Sequence, residues 1–163
     1  MTPAEKQQRQ ERFVAAHRDG GLPVTHQRRA VFAAILERSD HPTAEQVYMA
    51  VRQDLPQISR MTVHRILGTF VSLGLVAKTC HPGSAARFDP KVHPHHHLVC
   101  MDCGAILDLE DPCLDKIPWP KVNSRYFTIQ GYQIYFRGRC ARCGQEARRS
   151  SKINTEHREK SAP

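Results

Sequence analysis

The sequence predicts an α+β protein: an N-terminal winged helix-turn-helix domain, then a small α/β domain with a four-cysteine zinc site. Three observations carry this. Apolar residues recur at helical spacing through the first half. A pair of short extended runs around His81-Pro82-Gly83-Ser84 follows them. Two Cys-x-x-Cys pairs, Cys100/Cys103 and Cys140/Cys143, bracket a β-rich second half.

The elements follow in order. Residues 4–18 form a mostly polar helix that stops at Gly20-Gly21. Thr25 caps a second helix with Val31, Phe32, Ile35 and Leu36 on its inner face. Thr43-Ala44-Glu45-Gln46 is a capping box for a third, with Val47, Tyr48 and Val51 inside and Pro56 closing the segment. Ser59 caps a fourth, whose stripe is Val63, Ile66, Leu67 and Phe70 and whose stop is Gly74. The stretch "LVAKTCHPGSAARFD" reads as a β-hairpin, the wing. Beyond it "HHLVC", "GAILDL" and "TIQGYQIYFRGRC" read as strands. Pro118 and Pro120 limit the intervening "PCLDKIPWPKVNSRY" to short helical pieces. From Gly144 the chain is polar and charged, the composition of a mobile tail.

The chain has 163 residues, a hydrophobic share of 40% and a formal net charge of +8. Each half is small enough for a structural metal to help its core. The charge fits a polyanion partner, or a basic tail on a neutral domain. No apolar run is long enough to span a bilayer, and the N-terminus has no signal-peptide core, so a cytoplasmic, non-membrane protein is expected. Disulfides are rare there, and paired cysteines are read as metal ligands. Four thiolates satisfy tetrahedral zinc and leave no open position, so the role is structural. Gly104 and Gly144 follow the pairs and would give the knuckles backbone room. Cys80 and Cys113 are read as buried or merely free.

The stretch "HPHHHLVCMDC" adds histidines at 93, 95, 96 and 97. On a strand, His93, His95 and His97 share one face and His96 takes the other. A His-x-His pair is a metal clamp; a histidine-rich surface loop is the alternative reading.

The segments "VTHQRRAVFAAILERSDHPTAEQVY", "SRMTVHRILGTFVSLGLV", "ARFD", "HHHLVCMDCGAILDL" and "YFRGRCARCG" resemble, in order and spacing, the ferric uptake regulator superfamily of bacterial metal-dependent repressors. The resemblance runs from about residue 22 to 145. It implies a regulatory metal site of His41, Asp89, His95, His97 and Asp108. Imidazoles and carboxylates suit Fe2+ or Mn2+ better than a thiolate-seeking ion. Asp rather than Glu in "RFD" is similar to the peroxide-sensing branch, in which bound iron oxidises its own ligands; His41 and His95 are then the targets. A further family metal site is not expected, because Pro94 and Tyr132 stand at two of its positions and only His96 and Asp115 remain. His17, His26, His81, His93, His96 and His157 are read as surface residues.

The function implied is a homodimeric repressor on palindromic double-stranded DNA, and not an enzyme. Met61, Arg65, Gly68, Thr69 and Ser72 face outward on the fourth helix, with Thr62 and His64 near the edge. The expected DNA contacts are Arg28, Arg29, Thr62, His64, Arg65 and Thr69. His64 departs from the family's usual tyrosine, and the prolines of 112–121 from its usual helix; residues 126–137 are expected to pair across the dimer. The expected organisation is a DNA-binding domain at 1–88, a hinge at 89–94, a dimerisation and metal-binding domain at 95–148, and a flexible tail at 149–163. The alternative within the class is an iron-level or manganese sensor. A zinc hydrolase or a metal-storage module is remote, since neither His-Glu-x-x-His nor His-x-Glu with Pro-Cys-x-x-Cys occurs.

Overall fold

The computed structural model describes residues 2–79, 85–118, 120–122 and 125–146. The hairpin turn at 81–84, Cys80, His157 and the tail at 149–163 lie outside the described residues. The chain divides into two compact units, Met1–His93 and Pro94–Pro163.

The first unit holds α1 (Pro3–Asp19), α2 (His26–Leu36), α3 (Ala44–Asp54), α4 (Arg60–Ser72), β1 (Ala77–Thr79) and β2 (Arg87–Asp89). Each helix starts where a side-chain oxygen takes an orphan N–H: Thr2, Thr25, Thr43 and Ser59 all accept from the third residue beyond. Thr2 with Glu5 and Thr43 with Gln46 close full capping boxes. Two helices end in the glycine motif that pairs orphan carbonyls. In α4, Gly74 sits at φ 63°, its N–H reaches Val71, and Leu75 N–H reaches Phe70. In α1, Gly21 at φ 64° and Leu22 do the same with Arg18 and His17.

The core is aromatic at its centre. Phe13 stacks on Phe32 at 4.7 Å, and Phe70 meets both edge-on at 5.8 and 5.6 Å. Val31, Ile35, Val47, Val63 and Leu67 complete it. β1 and β2 pair antiparallel with Ala77 opposite Asp89 and Thr79 opposite Arg87. His17 departs from expectation, being fully buried in this core rather than on the surface. It packs on Phe13 at 4.3 Å, and its Nδ1 lies 2.8 Å from the Phe13 carbonyl. Its position four residues after Phe13 puts it on the inner face of α1.

The second unit is a three-stranded sheet in the order β4 (Ile106–Leu109), β3 (His96–Cys100), β5 (Tyr135–Gly138), with a 3-10 turn at Leu114–Lys116. β4 runs antiparallel to β3 and β5 parallel to it. β5 is shorter than the strand read from the sequence: described residues before Tyr135 make no ladder. Tyr135 pairs with His97 near the start of β3, where the ladder opens with the His97 N–H donating to the Ile134 carbonyl at 3.0 Å.

Gly68 and Gly74 separate two effects of glycine. Neither has a neighbour within 4 Å of an added Cβ, but only Gly74 has positive φ. Gly68→Ala is expected to raise stability by about 0.5–1 kcal/mol through helix propensity. Gly74→Ala is expected to lower it by about 1–2 kcal/mol. Urea midpoints of the two variants check both signs.

Candidate metal centres

The zinc-type centre belongs to the second unit. Cys100 ends β3, and Gly104 at φ 69° turns the first knuckle back, its N–H reaching the Cys100 carbonyl at 2.9 Å. Cys140 follows β5, and its N–H donates to Cys100 Sγ at 3.3 Å. The sulfurs of Cys100, Cys103, Cys140 and Cys143 all lie within 4.8 Å of one another, with Cys103 to Cys140 at 3.8 Å. Four sulfurs at about 2.3 Å from a tetrahedral zinc are roughly 3.8 Å apart, so the set fits the ion. Gly144 plays a different part from Gly104: it lies in the helical segment 141–146 without positive φ, so the second knuckle is closed by a helix turn.

The sulfurs repartition charge among themselves. Backbone N–H groups of Cys140 and Cys103 pull the Cys100 thiol down to about 6. The Ala105 N–H also lowers Cys103. Hydrogen bonding to Cys140 and Cys103 pushes Cys143 up to about 12. Arg142 hydrogen-bonds to Cys103 and Cys143, and Arg139 pairs with Asp102. These cations lie where a tetrathiolate zinc centre carries excess negative charge.

The other donors form two sets, one in each unit. In the first unit, segment 41–43 is fastened to β2. Arg87 donates to the His41 carbonyl at 3.1 Å, Phe88 N–H to the Pro42 carbonyl at 3.0 Å, and Thr43 bridges to Arg87. His41 adopts φ 51°, the left-handed region, which costs a non-glycine residue of order 1–3 kcal/mol. The fastening brings His41 Nε2 to 3.2 Å from Asp89 Oδ2, both side chains buried. Asp89 Oδ1 accepts from Lys91 N–H at 2.7 Å.

In the second unit, His97 and Asp108 are directly opposed on β3 and β4. Asp108 Oδ1 lies 3.5 Å from His95 Nε2 and 4.0 Å from His97 Nε2. The two imidazoles meet edge-on at 4.6 Å, and His97 stacks on Tyr135 at 5.4 Å. Both histidines are buried. Imidazole and carboxylate without thiolate is the donor chemistry of iron and manganese.

His96 corrects the surface reading. It takes the opposite face from His97, as alternation requires, but that face is covered. Its Nδ1 accepts the Ile134 N–H at 3.3 Å, Nε2 lies 3.3 Å from Asp115, and its ring stacks on Tyr132 at 5.8 Å. His93, His26 and His64 are exposed. So is Cys113.

On α4, His64, Arg65 and Gly68 are exposed and Thr62 and Thr69 half-buried. Thr62 is engaged with the Ser59 cap, and the Thr69 hydroxyl donates to the Arg65 carbonyl at 3.0 Å. Arg29 is exposed; Arg28 is half-buried and donates to the Pro23 carbonyl. The sequence reading misses Arg87, Tyr135 and Arg142, which hold donors in place. Only the opposed strand register carries a signal for Tyr135.

A winged helix joined in one chain to a four-cysteine unit, with imidazole–carboxylate donors in each half, is the architecture of a metal-responsive regulator. The chain belongs to the ferric uptake regulator family, whose model matches residues 19–137. It is 32% identical over 133 residues to the peroxide-responsive repressor PerR of Staphylococcus aureus, covering 82% of this chain and 90% of that protein. The ferric uptake regulator of Pseudomonas aeruginosa, solved with manganese, superposes at TM-score 0.61 and 27% identity, covering 78% and 96% of the two chains. That of Helicobacter pylori superposes at 0.68 with 20% identity over 85% and 93%, a likeness of fold. The four cysteines fit a structural zinc ion, and the imidazole and carboxylate donors fit iron or manganese. Among the described residues, no helix is long and apolar enough to cross a membrane.

Zinc takes its cysteines as thiolates, so binding releases protons and affinity rises with pH. Cys143, held at about 12, keeps its proton at neutral pH without zinc, and Cys100 is protonated only below about 6. Zinc retention against a fixed chelator is expected to fall as pH drops, more steeply below about 6. Cys103→Ser is expected to lose zinc and the cooperative unfolding of the second unit while the helical signal of the first persists. Zinc analysis with far-UV circular dichroism checks this.

Proposed function

We propose that the protein is a metal-dependent, DNA-binding transcriptional repressor that senses peroxide through its regulatory metal ligands. The reading rests on the imidazole and carboxylate donors: buried His41 with Asp89 in one unit, and buried His95 and His97 with half-buried Asp108 in the other. One ion shared by all five would hold the two units at one relative angle, with 89–94 as the hinge. In a homodimer that angle sets the spacing of two α4 helices to the half-sites of a palindromic operator. Arg28, Arg29, Thr62, His64, Arg65 and Thr69 are the proposed DNA contacts, and the protein acts in the cytoplasm.

Asp at position 89 and the 32% identity to a peroxide-responsive repressor favour peroxide as the signal. His41 and His95 would be among the residues holding a regulatory Fe2+ ion, which would supply one-electron cleavage of the peroxide O–O bond and be returned to the ferrous state. In the net change an imidazole carbon–hydrogen bond would become carbon–oxygen, the ring losing two electrons, and the second peroxide oxygen would leave as water. The oxidised rings would bind metal poorly, and repression would end. The second reading, sensing of metal level itself, is supported by the likeness to a regulator solved with manganese.

The deciding experiment treats iron-loaded and manganese-loaded protein with dilute peroxide and maps peptides by mass. Peroxide sensing predicts one added oxygen on the His41 or His95 peptide with iron only, and loss of DNA binding in step. Unmodified histidines with iron present would leave the metal-level reading. Identical scattering profiles and DNA affinities with and without regulatory metal would remove the shared-ion switch.

A further inference from the structure

We propose that Arg60 is a DNA-phosphate contact of α4, held ready by Glu45 and Tyr48, and that Glu45 sets how readily it engages. This rests on the DNA-binding reading above and adds a residue outside the contacts read from the sequence.

Arg60 is the first residue of α4. A cation there faces the positive end of the helix dipole, an unfavourable place for it. The guanidinium is nevertheless fixed on two sides. Its Nε donates to the Glu45 oxygens at 3.2 and 2.9 Å, and its Nη2 donates to Oε1 at 3.0 Å. Its central carbon lies 4.6 Å from the centre of the Tyr48 ring. Glu45 is the second residue of α3, so the pair joins the starting turns of the two helices of the helix-turn-helix.

Stability alone does not account for this arrangement. The Arg60 and Glu45 side chains are 61% and 53% exposed, and exposed ion pairs contribute little to folding. What is organised is the guanidinium plane. One face lies on an aromatic ring and one edge on a two-oxygen anion, the geometry in which arginine binds phosphate. Glu45 occupies the place a phosphate would take. Arg60 holds its carboxyl below the usual carboxylate range, so it is ionised at neutral pH.

In helix-turn-helix docking, the start of the reading helix approaches the duplex while the preceding helix crosses the backbone. Arg60 and Glu45 sit at those two places. DNA repels the carboxylate and attracts the guanidinium, so Arg60 exchanges one anion for the other. No proton or covalent bond changes hands. Glu45 thereby restrains Arg60 from indiscriminate phosphate binding.

The test uses the full chain loaded with zinc and manganese and a labelled mixed-sequence duplex of about 30 base pairs, at roughly 50 to 300 mM salt. Arg60→Gln is expected to reduce the slope of log affinity against log salt by about one and to weaken binding about tenfold near 100 mM. Glu45→Gln is expected to tighten binding severalfold at the same salt. Thermal midpoints report the folding of each variant separately. An unchanged slope in Arg60→Gln, even with weaker binding, would make Arg60 a strut between helices and overturn the proposal. So would weaker binding by Glu45→Gln. A wild-type chain that fails to bind this duplex even at about 50 mM salt has no non-specific phosphate contact for Arg60 to make, which overturns the inference and leaves operator binding to its own test.

Discussion

The second unit depends on one constraint: four cysteine sulfurs gathered where β3 ends and β5 has just ended. β3 and β5 are parallel, adjacent and only a few residues long, yet far apart in sequence. A short parallel ladder closed by a long, proline-containing loop gains little from its hydrogen bonds against the entropy of closure. Cys100 terminates β3, and the Cys140 N–H binds its sulfur just past β5. Fixing these two points fixes the register, and the register places Tyr135 against His97. The tetrathiolate site thus acts on the histidine end of the same strand through backbone pairing alone. A structural ion held by these cysteines at one end of β3 would set the aim of the donors at the other.

The first unit solves the matching problem without a metal. His41 precedes a proline and sits in a left-handed conformation that its own chemistry disfavours. What holds it is the edge of the wing. Arg87 takes its carbonyl, Phe88 takes that of Pro42, and Asp89 comes next along the strand. The two donors are far apart in sequence, and β2 carries both the fastening and the carboxylate. The first turn of α3 follows at once, its capping box fixing where the loop must end. Strain at His41 and the strength of that cap are two sides of one local geometry.

The legibility of these features in the sequence follows their range. Caps, glycine stops, the stripe on α4 and the Cys-x-x-Cys spacing depend on neighbours within a turn or two, and the residues alone reveal them. Burial of a histidine does not. His17 and His96 read as surface residues because nothing nearby in the chain marks them as covered. Phe70 covers the first from another helix, and Tyr132 and Asp115 cover the second from a distant loop. The length of β5 likewise depends on where its neighbour starts, which nothing within β5 marks. Gly144 shows a subtler limit: the same residue type after each cysteine pair serves two backbone conformations, and sequence does not separate them. The gathering of His41 beside Asp89 is legible only through family resemblance, because a positive φ at a histidine has no local signature.

β3 poses a sorting problem that the donor types resolve. His97 and Cys100 are three residues apart on one strand, on the order of 10 Å at about 3.3 Å per residue. Two ions of similar charge so close together cannot be told apart by location alone. They are told apart by ligand character: thiolates select zinc, while imidazole with carboxylate leaves room for iron or manganese. His96 would blur that division if it were available. Its Nδ1 lone pair is taken by the Ile134 N–H, which puts the ring proton on Nε2, facing Asp115. With one nitrogen accepting and the other protonated, the imidazole that alternates with His95 and His97 on the opposite face is withheld from metal, and Tyr132 stacks on it.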